Sequence, residues 1–279
     1  MPKATAFTDM EYRICVTARQ LETGTTCWVA IGGPPLVALF LARRYYGRDI
    51  IYVTEDGSID PTQEGYKPFL LGMTRTCYKA LSWQDTAIVQ YHSALGYFDY
   101  GVIDTAQVDE YGNINSTFSG GTHERPERRH GGAGGANELV STCWRTILMA
   151  NQRKWALPKR VDFITSPGYL DGPGARERAG LPAGTGPYRV VTDMAVFGFD
   201  EQTKRMKLLG IAAWTKLEDV LEQMGFEPLI ADELLTIEPP DEEELTIMRT
   251  EIDPSGFISA TRGNWIELEQ RDDKWVRIT

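Results

Sequence analysis

The segment TCWVAIGGPPLVALFLARRYYGRDIIYV, residues 26–53, decides the fold. Thr26 to Ile31 is a short apolar run that reads as a strand. Gly32-Gly33-Pro34-Pro35 interrupts it, and Leu36 to Tyr46 reads as a helix. Prolines are tolerated in the first helical turn, and Gly47 supplies a left-handed cap at the end. Asp49 to Val53 is a second buried strand. Strand, helix and strand in about 28 residues make a βαβ unit, with parallel strands and a right-handed crossover. Both strands then end on one edge of the sheet, where open α/β sheets bind their ligands. Thr54-Glu55-Asp56-Gly57 follows directly on that edge.

Outward from this unit, Thr8-Asp9-Met10-Glu11 has the form of a capping box. Met10, Ile14, Ala18 and Leu21 continue it at helical spacing until Gly24. Val102 to Val108 and Asn113 to Phe118 read as strands around the turn Glu110-Tyr111-Gly112. The polar stretch Thr122 to His130 then precedes Gly131-Gly132-Ala133-Gly134-Gly135-Ala136. From Asn137 a helix is expected, with Leu139, Val140, Cys143 and Ile147 on one face. Val161 to Thr165 reads as a strand, and Pro167 to Pro187 as a loop. Tyr188 to Asp193, Ala195 to Phe199 and Met206 to Ile211 make the back half rich in strands. Thr215-Lys-Leu-Glu218 is a second capping box, opening a helix that stops at Gly225. The acidic run Asp241 to Glu244 suits another helix N-terminus. Beyond Pro254 no strong period is present, and the segment reads as an added arm or tail.

Composition narrows the function. The 279 residues carry 29 Lys+Arg against 39 Asp+Glu, a formal charge of -10 that argues against nucleic acid as a partner. The one long apolar run is cut by the Gly-Gly-Pro-Pro break, short of the roughly 20 residues a membrane span needs. The first residues hold no apolar core of a secretory signal, so a cytoplasmic protein is expected. The cysteines at 15, 27, 77 and 143 form no C-x-x-C pair, and His92, His123 and His130 have no H-x-x-x-H spacing. No metal site follows, and buried thiols in a reducing compartment are the expectation.

Two features can carry chemistry. Glu55 is either a solvated turn former or a carboxylate at the ligand edge, placed to act as nucleophile or base. The four glycines of residues 131–136 permit unusual dihedrals ahead of a helix. Their free N–H groups suit an anion or a developing oxyanion, unless the loop is only a connector. It is not a dinucleotide fingerprint: Asn137 stands where the last small residue belongs, and RPERRH precedes it instead of a strand. Arg125, Arg128 and Arg129 read as a solvated surface or as partners for phosphate or carboxylate.

Together these residues resemble the β subunit of family I coenzyme A-transferases, most closely the glutaconate CoA-transferase type. The resemblance rests on Val53-Thr-Glu-Asp-Gly57 and on Gly132-Ala-Gly-Gly-Ala-Asn-Glu-Leu-Val140. Gln107 to Asn113, Val191 to Phe197 and Trp214 to Gly225 also fit. It implies an open, mostly parallel α/β sheet with flanking helices, the NagB/RpiA/CoA-transferase-like arrangement. The domain would span residues 1–255, with 256–279 as a C-terminal extension of unassigned role. By resemblance Glu55 is the catalytic nucleophile, and Gly132, Ala133, Gly134, Gly135 and Ala136 form the oxyanion and substrate-binding loop. The implied partner is a separate α subunit, in an αβ heterodimer or a higher assembly. Acyl-CoA and a carboxylic acid are the substrates, a dicarboxylate acyl-CoA the donor, and no permanently bound cofactor is expected. The alternatives are an acyl-CoA hydrolase or decarboxylase with Glu55 as general base, and a non-catalytic partner subunit.

Overall fold

A computed structural model of the chain describes residues 1–29, 33–62, 77–260 and 263–278. The chain divides into two compact units, Met1–Val89 with Ala212–Thr215 and Thr236–Thr279, and Gln90–Ile211 with Lys216–Leu235.

In the first unit, β1 (Ala6–Thr8) leads straight into α1 (Asp9–Gln20). The expected capping box is present: Glu11 N donates to Thr8 Oγ1 at 3.1 Å, and Thr8 N donates to the Glu11 carboxylate at 2.8 Å. Tyr12 packs edge-on against Trp214 at 4.8 Å, which fixes the inner face of the helix. β2 (Thr25–Val29), α2 (Pro34–Arg44) and β3 (Ile50–Thr54) are the expected βαβ unit. β2 and β3 pair in parallel, Thr25 opposite Ile50 and Val29 opposite Thr54. The prolines occupy the first helical positions, where a missing N–H costs nothing, and Gly47 is left-handed after the last turn. Ala30, Ile31 and Gly32, the expected end of the strand and start of the loop, lie outside the described residues. β4 (Ser58–Ile59) folds back antiparallel on β3, and β5 (Ser82–Trp83) on β4. α3 (Thr86–Ala94) follows.

The second unit is built on β6 (Tyr100–Asp104). Two short hairpins come next, β7 (Gln107–Val108) with β8 (Ile114–Asn115), and β9 (Phe118–Gly121) with β10 (Pro126–Arg129). α4 (Ala136–Thr142) ends earlier than expected, and Ile147 belongs to the strand β11 (Arg145–Met149). Both readings keep Ile147 buried, so an apolar spacing could not separate them; the extended backbone at Cys143 (ψ 142°) makes the break. Val161 to Thr165 forms no strand; its polar atoms bind loop residues, as described below. After α5 (Ala175–Arg178) come β12 (Pro187–Val191), β13 (Ala195–Phe199) and β14 (Met206–Ala212). β6, β11 and β12 pair in parallel, with Asp104 opposite Met149 and Met149 opposite Val191. β13 and β14 continue antiparallel. Thr146 to Met149 is wholly buried, as a strand covered on both faces must be. α6 (Leu217–Glu222) starts after Lys216 without a side-chain cap, so Thr215 does not form the expected box. β15 (Leu229–Ile237) then leads back to the first unit.

There α7 (Glu242–Ile247) starts at the acidic run, as expected, and Asp241 and Glu244 add a capping box that the sequence reading did not name. A π-helical turn, Met248–Ile252, extends it. The tail beyond Pro254 folds as the hairpin β16 (Trp265–Arg271) and β17 (Lys274–Arg277), and β16 pairs antiparallel with β1. Arg249 adds a second tie, donating to the fully buried Glu11 carboxylate at 2.7 and 2.8 Å. The architecture is the α/β arrangement expected, with helices flanking parallel strands and antiparallel strands extending them.

Candidate active site

Glu55 is the first residue after β3, on the edge where β2 and β3 both end. It is half-buried, in a turn closed by Gly57 N–H donating to Thr54 O at 3.0 Å. Thr54 Oγ1 donates to Asp56 and accepts from Ser58 N at 3.2 Å, so the neighbouring acid is held within the turn. A strand that the sequence did not announce braces the turn from outside. Gln84 N donates to Gly57 O at 3.1 Å, and the Trp83 indole N–H donates to Asp56 O at 3.0 Å. Gly57 is left-handed (φ +100°), and a Cβ there would stand 1.7 Å from Gln84 O. Only glycine fits, so Asp56-Gly57 is a fixed joint rather than an ordinary surface turn.

The glycine loop belongs to the second unit. Gly132 and Gly134 take positive φ (95° and 51°), so the loop depends on its glycines for shape. Two of its amides are already used: Gly132 N donates to Ser116 O at 2.8 Å, and Ala136 N to Ala133 O at 2.9 Å. Ala133 and Gly134 are exposed, and among the described residues their N–H groups make no hydrogen bond within the chain. Gly135 and Ala136 are buried at the start of α4.

What holds the loop is a buried polar network that sequence reasoning missed. Asp109 accepts from Tyr111 N, Asn113 N and Asn113 Nδ2, each at 3.0 Å. Burial nonetheless pushes its carboxyl above the usual range. The Asn113 side-chain oxygen accepts from Gly168 N and Leu170 N, joining the hairpin to the loop after Thr165. Thr165 Oγ1 accepts from Ser116 N at 2.9 Å, and Thr165 O accepts from Asn137 Nδ2 at 2.9 Å. Ser116 and Asn137 flank the glycine loop in space, one bonded to Gly132 and one next to Ala136. The only trace in sequence was Gln107 to Asn113, which read as strand and turn.

Arg125, Arg128 and Arg129 lie exposed on or beside β10, and Arg129 donates to His123 O at 2.8 Å. His130 bonds Ser119 at 2.9 Å through Nε2. Partial burial, then the Arg128 charge, lowers its pKa below the ordinary imidazole value. His123 packs edge-on against Phe118 and tilted against Phe163. At the carboxyl ends of β11 and β12, Asp193 accepts from Gln152 N at 2.7 Å and pairs with Arg153 at 3.3 Å. Cys15, Cys27 and Cys143 are buried and Cys77 is half-exposed, none of them in a disulfide; burial pushes Cys143 up to about 12. Among the described residues no His, Cys, Asp and Glu side chains gather in metal-binding geometry, and no helix is long and apolar enough to cross a membrane.

A family model described as "Coenzyme A transferase" matches residues 13–223. One subunit of the glutaconate CoA-transferase of Acidaminococcus fermentans is 35% identical over 91% of this chain and 96% of its own length. One subunit of the 3-oxoadipate CoA-transferase of Pseudomonas knackmussii is 30% identical over 88% and 93% respectively. The solved structure of the Acidaminococcus fermentans glutaconate coenzyme A-transferase superposes with a TM-score of 0.83, at 34% identity, over 91% of this chain and 98% of that one.

Proposed function

This chain belongs to the coenzyme A transferase family, and from that premise we propose that it is the β subunit of a heteromeric transferase working through Glu55. The Glu55 carboxylate attacks the acyl-CoA carbonyl and expels the CoA thiolate, leaving an acyl-glutamyl anhydride. The thiolate then attacks the glutamyl carbonyl, releasing the first acid and forming a glutamyl-CoA thioester. The carboxylate of a second acid attacks that thioester, and the same two steps in reverse carry it away as the new acyl-CoA. Every step exchanges one acyl bond for another of similar energy, so no ATP is consumed.

The observation that carries this reading is the joint at Gly57. A turn former needs no brace, yet the turn that carries Glu55 leaves a buried strand and is held two residues later, at Gly57, by the Gln84 backbone. Such fixation keeps a nucleophile in attack geometry. The tetrahedral oxyanions fall to the glycine loop, Gly132 to Ala136. With the Gly132 and Ala136 amides engaged, the Ala133 and Gly134 amides are the ones left to donate, each worth about 3 kcal/mol in comparable sites. A separate α subunit is inferred from relatives that are themselves named as subunits, and the assembly is an αβ pair or a multiple of it. Both relatives are named for dicarboxylic acids, which supports a dicarboxylate acyl-CoA donor. Coenzyme A enters only as the substrate thioester. Cysteines outside disulfides fit a cytoplasmic location.

The test is to incubate the assembled complex with acyl-CoA and no acceptor, then digest it. A CoA mass adduct on the peptide containing Glu55, absent in Glu55→Gln, is the expected result. Full transfer activity in Glu55→Gln, or thioester loss with no acceptor dependence, would refute it.

A further inference from the structure

Arg176 is buried to 2% exposure, and among the described residues no carboxylate pairs with it. Its guanidinium donates only to neutral oxygens. Nη1 reaches Pro167 O at 2.7 Å and Gly168 O at 2.8 Å. Nη2 reaches Val140 O at 3.3 Å, Ser141 O at 2.9 Å and Thr185 Oγ1 at 2.9 Å. Nε is buried without a partner. Burying a charge with no counter-charge is unfavourable, so the arrangement calls for an account.

The acceptors supply one. Val140 and Ser141 lie in the last turn of α4, where carbonyls lack partners within the helix and a cation is favoured. α4 begins directly at the glycine loop. Pro167 and Gly168 follow Thr165, whose hydroxyl and carbonyl hold Ser116 and Asn137 on the two sides of that loop. Gly168 N also donates to Asn113. One planar fork therefore fastens both supports of the loop, its helix and the segment that grips its flanks. Lysine cannot reproduce this, because an ammonium is a point donor and lacks the fork.

We propose that Arg176 is the positioning residue of the glycine loop, setting the geometry of residues 132–136 through α4 and the segment 165–168. The proposal rests on the reading of that loop as the oxyanion site, but its first readout does not need the reaction. In the assembled complex, Arg176→Lys is compared with the wild type by hydrogen exchange and by kinetics. Exchange over residues 132–142 should accelerate about tenfold or more, while the parallel strands Tyr100–Asp104 and Arg145–Met149 keep their protection. The kcat should fall about tenfold to a hundredfold, with the KM for acyl-CoA within about threefold, as for a loss felt only in the transition state. Unchanged exchange at 132–142 overturns the proposal, as does a folded variant with unaltered kcat. Uniform acceleration across the unit, with KM and kcat changing together, also overturns it by showing a merely structural role. Arg176→Gln, shorter and neutral, repeats the comparison if the lysine variant fails to fold. A wild-type complex that forms no Glu55 adduct would remove the functional reading alone, and the exchange comparison would still decide what Arg176 holds.

Discussion

Replacing Gly57 by alanine tests whether the Glu55 turn is a joint or a passive surface bend. The new Cβ would stand 1.7 Å from Gln84 O. Carbon and oxygen in ordinary contact sit about 3.3 Å apart, so the two segments must part by about 1.6 Å. That breaks the Gln84 N to Gly57 O bond, worth about 1 kcal/mol. Holding an L-residue at φ +100° adds about 1–3 kcal/mol of backbone strain. The sum is a loss of about 2–4 kcal/mol, read by urea denaturation. Glu55 lies two positions earlier, and a shift of about 1 Å in a reacting group costs about a hundredfold in rate. The transfer rate should therefore fall about a hundredfold, with slower CoA adduct formation on Glu55. Gly24→Ala is the control: Gly24 has a similar left-handed φ of +72° but nothing within 4 Å. It should show the backbone strain and keep full activity. A Gly57→Ala protein as stable and as active as the Gly24→Ala protein would refute the reasoning.

Arg249→Met should destabilise the chain by about 3–5 kcal/mol in denaturant titration, because it strips a fully buried Glu11 carboxylate of its cation. A loss below about 1 kcal/mol would mean that water reaches Glu11. The His130 imidazole should titrate below its ordinary value in NMR spectra. The unfolded chain then takes up the proton first, so this residue's contribution is intact above about pH 6.5 and is withdrawn as the pH falls below that and through the lower folded-state value. His130→Asn should flatten that part of the pH profile, and a midpoint at or above 6.5 would contradict the structure.

The elements readable from sequence were those that carry their own local signal. Thr8 and Glu11 name a helix start by their spacing, and two apolar runs around a helical stretch name a βαβ unit. That was enough to put Glu55 at a strand end. Its brace was hidden because Gln84 meets Gly57 through its backbone atoms, which demand a glycine at 57 but leave no mark on the residue type at 84. β11 was hidden for a different reason: Ile147 is as buried in a strand as it would be in a longer helix. The glycine loop was visible from composition, but not which amides are spent; that depends on Ser116 and Ala133 as acceptors. Arg176 could not have been found, since carbonyl oxygens from two segments and the Thr185 hydroxyl select it.

The pairing of β1 with β16 has a consequence for biosynthesis. Ala6 faces Glu267, so β1 finds its neighbour only after about 260 further residues have been translated. The intervening residues 90–211 close among themselves and can mature while the ribosome is still at work. Until that hairpin emerges, Phe7 has Tyr12 and Trp214 beside it but lacks the strand opposite, so β1 acquires its full burial late.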